Sequence, residues 1–143
     1  LPRFARREIR RSMHWTSDVT CLQVTPGMPP SMLQAIVSNP PQGVVLGVFS
    51  IADLPQRWAP HLQSLQQRNV PIYIVSQAST GSASLSSTLT GRRWRSLGLQ
   101  CLPPMLLDSA HTKLCWSLGK AKALTDVDRW MQTPIAGEFQ TNR

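Results

Sequence analysis

The sequence predicts an α/β fold in which a small parallel sheet carries helices on both faces, as in Rossmann-like domains. Two continuous apolar runs, Val44 to Phe49 and Ile72 to Val75, are typical of strands that are buried on both sides. Segments with apolar residues at helical spacing alternate with these runs. The resulting order, β-α-β-α-β-α-β-α-α, favours parallel strands joined by crossover helices.

Capping and helix-breaking residues set the predicted bounds of the elements. Ser31, Asp108 and the Thr125–Asp128 capping box are predicted to begin helices. Asn39-Pro40-Pro41 is predicted to end the first helix, and Gly119 the helix that starts at Asp108. The predicted strands are Val19 to Val24, Val44 to Phe49, Ile72 to Val75 and Leu99 to Leu102, and the predicted helices are Ser31 to Val37, Trp58 to Arg68, Gly91 to Leu97, Asp108 to Leu118 and Thr125 to Met131.

The chain is expected to divide into a basic arm over residues 1–18, the α/β domain over residues 19–140 and a tail over residues 141–143. The arm lacks the apolar pattern that would let it fold by itself. Its arginines resemble the mature edge of an organelle transit segment, which favours a mitochondrial location. The Ser- and Thr-rich residues 76–90 predict a loop at the carboxyl end of a strand, where α/β folds bind their ligands.

The charge balance favours a polyanionic partner. The formal net charge is +8, from 15 Lys and Arg against 7 Asp and Glu. An excess of this size suits RNA or an acidic protein surface, although solubility alone would also explain it. Arg92 and Arg95 share a helix face beside Trp94, which could stack on a base or simply pack into the core. The predicted partner-binding residues are Arg3, Arg6, Arg7, Arg10, Arg11, Trp15, Arg92, Arg93 and Arg95, with Trp15 as an aromatic anchor.

The residues that most often carry chemistry form no recognisable constellation. The three cysteines and the three histidines have no metal-like spacing, and the Ser-rich loop has no adjacent base. We therefore expect no catalytic residue, no cofactor, no metal and no small-molecule substrate, and no apolar run is long enough to span a membrane. The cysteines, which we expect to be buried as small hydrophobic residues, are Cys21, Cys101 and Cys115.

Four short motifs resemble the C-terminal domain of L-asparaginases. They are Gly43-Val44-Val45-Leu46, the stretch from Val70 to Gln77, Thr112-Lys113-Leu114-Cys115-Trp116 and Ile135-Ala136-Gly137-Glu138. The resemblance is strongest to the type I enzymes and to the related archaeal tRNA-amidotransferase subunit. It implies the fold described above. In that family the catalytic threonines lie in a larger N-terminal domain, and nothing in this sequence matches those threonines.

The resemblance also identifies positions at which family ligand contacts are altered. Asp53 stands where the family sends an asparagine into the neighbouring subunit's active site. Gly47 replaces an effector-binding arginine, and Ser76-Gln77 remains from a threonine-glutamine-cysteine effector run. Loss of the guanidinium would remove the main partner of an effector carboxylate. The resemblance thus implies a scaffold without the family's chemistry.

These observations predict a non-catalytic, asparaginase-like accessory subunit of a large organelle assembly, with other subunits and ribosomal RNA as expected partners. A mitochondrial ribosome is the first expectation, and a respiratory or ATP synthase complex the second. One half of a split asparaginase is an alternative of a different class. A free-standing amino-acid sensor is a further alternative, against which Gly47 argues.

Overall fold

A four-stranded parallel sheet forms the centre of the molecule. The computed structural model describes residues 11–49, 54–78, 84–85 and 88–139. The strands are β1 (Val19–Gln23), β2 (Gly43–Val48), β3 (Ile72–Ser76) and β4 (Gln100–Cys101), in the spatial order β1-β2-β3-β4. The helices are α1 (Pro30–Ser38), α2 (Ala59–Gln67), α3 (Leu89–Ser96), α4 (Leu107–Lys120) and α5 (Leu124–Met131), and a 3-10 turn (Gln56–Trp58) precedes α2. The predicted fold class is confirmed.

Each face of the sheet has its own apolar core, because alternate residues of a strand point to opposite sides. Leu46 and Ile74 face a cluster that includes Trp58 and Trp94, on the side of α1, α2 and α3. Val45 and Tyr73 face the second cluster, on the side of α4 and α5. All six residues of β2 are buried, which is why this strand has no polar alternation in the sequence.

Three predicted caps are wrong, although the helices themselves are present. Ser31, Asp108 and Thr125 each lie within the first turn of their helix, and no side chain caps α1, α4 or α5 at the N-terminus. Asp128 forms no capping box, because its carboxylate accepts hydrogen bonds from Tyr73 (2.5 Å) and from another side chain. The helices begin one residue earlier than predicted, and their N-cap residues, Pro29, Leu106 and Ala123, form no side-chain cap hydrogen bond.

The third helix also differs from its predicted start. Helix α3 begins at Leu89, and the hydroxyl oxygen of Thr88 caps it by accepting a hydrogen bond from the Gly91 N–H at 2.9 Å. The predicted start was Gly91 because the Ser- and Thr-rich run up to Thr90 is typical of a loop. Strand β4 is also shorter than predicted and contains only Gln100 and Cys101.

Helix α4 passes through Gly119 instead of ending there. The helix continues to Lys120, and this glycine instead allows the chain before β1 to pack closely on α4. A Cβ at position 119 would lie 2.5 Å from the backbone nitrogen of Trp15. The Thr16 N–H also donates a hydrogen bond to the Cys115 carbonyl, at 3.2 Å. Residues 12–18, which we call the strap, therefore run along α4, and this portion of the predicted arm is packed against the domain.

Candidate functional site

Among the described residues, the carboxyl edge of the sheet is closed where β2 and β3 end, at Gly47 and Gln77. Gly47 is buried near the end of β2, and the side-chain amide of Gln77 lies over it. A Cβ at position 47 would overlap this amide nitrogen and would lie 3.0 Å from Leu107 Cδ2. Gln77 is fixed by its own backbone, because its N–H donates to the Val48 carbonyl at 2.7 Å. The side chain of Gln77 thus fills the space that a larger residue at position 47 would use.

Apolar side chains surround this closed edge. Phe49 follows β2, Leu89 begins α3 and Leu106 precedes α4, and their exposed fractions are 55%, 79% and 75%. Helices of β-α-β units begin at the carboxyl edge of the sheet, so all three residues lie on this side of the domain. Ser76, also at the edge, accepts a hydrogen bond from the Ala78 N–H at 3.2 Å. This carboxyl edge is an apolar surface suited to contact with protein.

A second feature is a groove of about 600 Å³ on the outer side of α4. One wall comes from the strap, the floor from α4 and the other wall from the segment after α5. The aromatic residues in the lining of the groove are Trp15 and Trp116, and Trp15 is 55% exposed. The lining residues are Ser12, Trp15, Asp108, Ser109, Thr112, Lys113, Trp116, Ile135, Ala136 and Glu138.

A buried ion pair joins the floor of this groove to the wall formed by the segment after α5. The Lys113 ammonium contacts the Glu138 carboxylate and donates a hydrogen bond to the Thr133 carbonyl at 2.5 Å. The side chains of Lys113 and Glu138 are 5% and 11% exposed. Burial alone would raise the pKa of Glu138, but the Lys113 ammonium and the N–H groups of Ile135 and Ala136 lower it to about 2. Burial lowers the pKa of Lys113, while Glu138 acts in the opposite direction.

The ion pair fastens the chain after α5 onto α4. Lys113 also lies 4.6 Å from the ring centroid of Phe139, so the same ammonium contacts three parts of this segment. Both charged residues belong to motifs that the sequence analysis quoted, but their contact was not predicted. Lys113 and Glu138 are 25 residues apart, and no periodicity connects them.

One cysteine–histidine contact exists among the described residues, on the inner part of α4. Cys115 Sγ lies 3.7 Å from His111 Nε2, which is also 3.4 Å from the Val19 carbonyl oxygen. Burial raises the pKa of the Cys115 thiol, so the reactive thiolate is disfavoured. Within the described ranges, no group of three or more metal-ligating side chains is present. The expectation that all three cysteines are buried is wrong, because Cys21 is exposed on the edge strand β1.

The predicted partner-binding residues do not form one surface in the described part of the chain. Trp94 is fully buried, so the arginines beside it have no exposed aromatic ring for stacking. Arg92 and Arg95 are exposed, and Arg93 donates a hydrogen bond to Gln56 Oε1 at 2.8 Å. Arg11 is exposed next to the strap, on another part of the domain. Arg3, Arg6, Arg7, Arg10 and Asp53 lie outside the described residues.

A pair of half-buried tryptophans was missed by the sequence analysis. The ring centroids of Trp116 and Trp130 are 5.3 Å apart, and Lys120 Nζ lies 4.8 Å and 5.4 Å from them. Trp116 and Lys120 are four residues apart on α4, a spacing that places side chains next to each other and could have indicated half of this contact. The contribution from α5 depends on tertiary packing.

Comparison with known proteins identifies the family. Residues 18–131 match the family described as Glutaminase/Asparaginase C-terminal domain. The chain belongs to this family. The resemblance drawn from the four motifs is therefore confirmed, and the domain is referred to below as an asparaginase-type C-terminal domain.

Similar proteins agree with this assignment. The chain is 29% identical over 144 residues to a subunit of the glutamyl-tRNA(Gln) amidotransferase of Pyrococcus horikoshii, covering 95% of this chain and 33% of that protein. It is 30% identical over 124 residues to the L-asparaginase of Thermococcus kodakarensis, covering 85% of this chain and 38% of that protein. The chain thus spans about a third of the length of these relatives.

Solved structures support the same fold. The thermostable L-asparaginase from Thermococcus kodakarensis superimposes with a TM-score of 0.82 at 26% identity, over 99% of this chain and 44% of that one. L-asparaginase I from Vibrio cholerae gives a TM-score of 0.73 at 18% identity, over 88% and 38% of the two chains. The second likeness concerns the fold alone.

These findings correct the function expected from charge. The relatives are archaeal amidotransferase subunits and asparaginases, so the expectation of a mitochondrial ribosomal protein or of a respiratory or ATP synthase subunit is wrong. The expectation of ribosomal RNA as a partner has no support in these relatives. The error arose because net charge reports electrostatic compatibility and contains no information about which anion is bound. No described helix is both long and apolar enough to cross a membrane.

Proposed function

We propose that this asparaginase-type C-terminal domain acts as a non-catalytic docking half, which packs against a catalytic domain of the asparaginase and amidotransferase family. The proposal rests chiefly on the closed carboxyl edge. There, the side chain of Gln77 occupies the space over Gly47, and exposed apolar side chains surround it. Among the described residues, this edge offers apolar contact area to a protein.

The chemistry of the described residues supports the absence of independent catalysis. Amide hydrolysis through a covalent intermediate needs an activated nucleophile that a base contacts and that substrate can reach. The Cys115–His111 contact lacks the first of these features, because burial raises the pKa of the thiol. Ser76 Oγ accepts a hydrogen bond from a backbone N–H and has no base beside it among the described residues.

The names of the relatives agree with a domain that works as part of a larger protein. Several are subunits of a glutamyl-tRNA(Gln) amidotransferase, and the matched part covers only 33% of the Pyrococcus horikoshii protein. By the family description, the matched part is a C-terminal domain. The catalytic part of such a protein would therefore precede the region that this chain matches.

Two measurements on the purified full chain test the proposal. The first is ammonia release from L-asparagine and L-glutamine, for which we expect no rate above the blank; turnover by the chain alone would contradict the non-catalytic role. The second is sedimentation of the chain mixed with the N-terminal part of the Thermococcus kodakarensis L-asparaginase, the part that precedes the match. We expect a complex that is weakened by Phe49→Ser with Leu106→Ser.

A further inference from the structure

An aromatic and basic surface lies where α4 ends against α5. The ring centroids of Trp116 and Trp130 are 5.3 Å apart, and the Lys120 ammonium lies 4.8 Å from the first and 5.4 Å from the second. Both tryptophans are half-buried, so part of each ring is open to solvent. The two helices thus present a pair of rings at the surface with a cation over them.

The strap adds a third tryptophan to this surface. The Trp15 backbone lies against Gly119, which follows Trp116 by three residues and is therefore on the same side of α4. Trp15 is 55% exposed, and Met13, two residues before it, is 91% exposed. The resulting surface, which we call the tryptophan face, consists of Trp15, Trp116, Lys120, Lys122, Arg129 and Trp130.

The charge of the tryptophan face is positive. Lys120 and Lys122 are exposed, and neither forms a salt bridge within the part of the chain that the structure describes. Arg129 lies 5.8 Å from the Trp130 ring centroid, and its charge is offset by a 2.8 Å salt bridge to Asp126. The two lysines therefore carry the unpaired charge, on a chain whose formal net charge is +8. An anionic surface is complementary to this arrangement.

Exposed tryptophans next to lysines favour the surface of a lipid bilayer as that partner. Tryptophan concentrates at the interface between membrane and water, because its ring is apolar and its N–H is polar. Lysine lays its apolar stem on such a surface and extends its ammonium towards the headgroups. In the free chain, the Lys120 ammonium lies over the two rings. On a bilayer this ammonium would move to a lipid phosphate, and the rings would enter the headgroup region.

We propose that the tryptophan face binds the surface of an anionic bilayer, with its three tryptophans in the headgroup region and Lys120 and Lys122 on lipid phosphates. This binding is independent of docking at the carboxyl edge. Helix α4 begins at that edge and contains 14 residues, so its last residue, Lys120, lies about 20 Å away. The two surfaces can therefore be occupied at the same time.

The test is co-sedimentation of the full chain with vesicles of phosphatidylglycerol and phosphatidylcholine, compared with vesicles of phosphatidylcholine alone. We expect binding to the anionic vesicles only, and weaker binding at high salt because salt screens exposed charges. Lys120→Gln with Lys122→Gln should weaken binding by roughly tenfold or more, since each cation near an anionic bilayer raises the affinity about fivefold. Trp15→Ser should also weaken binding, because it removes apolar area from the interface.

The matched control is Arg92→Gln with Arg95→Gln. This variant removes the same number of charges from exposed positions of α3, on the other face of the sheet. We expect it to bind anionic vesicles as the wild type does. A second measurement is the quenching of tryptophan fluorescence by lipids with brominated acyl chains, which reports how closely the rings approach the chains. Trp15→Ser should lower this quenching.

Each possible outcome decides for or against the proposal. Binding that the lysine variant weakens and the arginine control preserves would support it. Absence of binding to anionic vesicles, with the chain folded by circular dichroism, would overturn it, as would equal weakening by both variants, which would show a response to net charge alone. Binding to polyglutamate without binding to vesicles would assign the tryptophan face to an acidic polypeptide and would also overturn it. None of these results depends on docking at the carboxyl edge.

Discussion

Replacement of Gly119 by alanine tests whether the strap is truly packed on α4. Alanine is favoured over glycine inside a helix by about 1 kcal/mol, so the substitution should stabilise a helix whose surface is free. In this structure the new Cβ would lie 2.5 Å from the Trp15 nitrogen and 2.7 Å from its Cα. Non-bonded carbon contacts are normally about 3.5–4.0 Å, so the strap would have to move by about 1 Å.

The expected free-energy change follows from three contributions. Overpacking of this kind typically costs about 1–3 kcal/mol. Displacement of the strap would also break the Thr16–Cys115 hydrogen bond, at a net cost of about 1 kcal/mol. After subtraction of the gain in helix propensity, we expect Gly119→Ala to lower the free energy of unfolding by about 1–3 kcal/mol. For a domain of this size, the melting temperature should fall by roughly 3–12 °C.

The assay combines denaturant unfolding with hydrogen exchange at the Thr16 amide, which should exchange faster in the variant. Thr112→Ala serves as the control, since it raises helix propensity at an exposed position of α4 without adding atoms. A melting temperature that rises in Gly119→Ala as it does in the control, with unchanged exchange at Thr16, would refute the packing of the strap.

Three further predictions concern the buried polar contacts and the closed edge. Because the pKa of Glu138 is lowered from 4.5 to about 2, this carboxylate should contribute about 3 kcal/mol to the free energy of unfolding above pH 4.5, and this contribution should be lost as the pH falls towards 2. In Glu138→Gln, the free energy of unfolding should therefore depend less on pH over this window. An unchanged pH profile would contradict the ion pair. Gly47→Ala should lower the free energy of unfolding by about 1–2 kcal/mol, because the new Cβ would overlap the Gln77 amide. Adding Gln77→Ala to the same chain should recover at least half of this loss. Additive effects in a double-mutant cycle would show that the residues at positions 47 and 77 do not touch. Tyr73→Phe should lower the free energy of unfolding by about 2 kcal/mol, because the Tyr73 hydroxyl donates a hydrogen bond to the Asp128 carboxylate on α5. Calorimetry that finds the variant as stable as the wild type would disprove this.

The fold could be predicted from the sequence because it depends on patterns among neighbouring residues. Strand β2 and strand β3 are apolar without alternation since both of their faces are covered, and the helices between them repeat apolar residues at helical spacing. Helix ends were predicted less well. The sequence favoured Asp108 and Gly119 as caps because these residue types are common there, whereas in the structure Asp108 lies in the first turn and Gly119 meets the strap.

The positions that correspond to family ligand contacts could also be predicted from the sequence, but the structural role of each residue could not. The resemblance placed Gly47 at an effector-binding arginine position and Gln77 in the effector run, and only the tertiary structure brings the Gln77 amide over Gly47. Net charge led to a ribosomal expectation that the relatives overturn. Composition describes the chain as a whole, whereas recognition depends on which side chains share a surface.

By itself, the sequence determined that the chain forms a parallel α/β sheet, because burial and helical periodicity are properties of neighbouring residues. Its four motifs added the resemblance to the asparaginase C-terminal domain. Tertiary structure alone decided that Trp15 lies against Gly119 and that Lys113 meets Glu138. These contacts join residues far apart in the chain, so they follow from how the helices and the strap pack and leave no periodic signal. The groove, which both contacts build, is therefore a property of the folded domain.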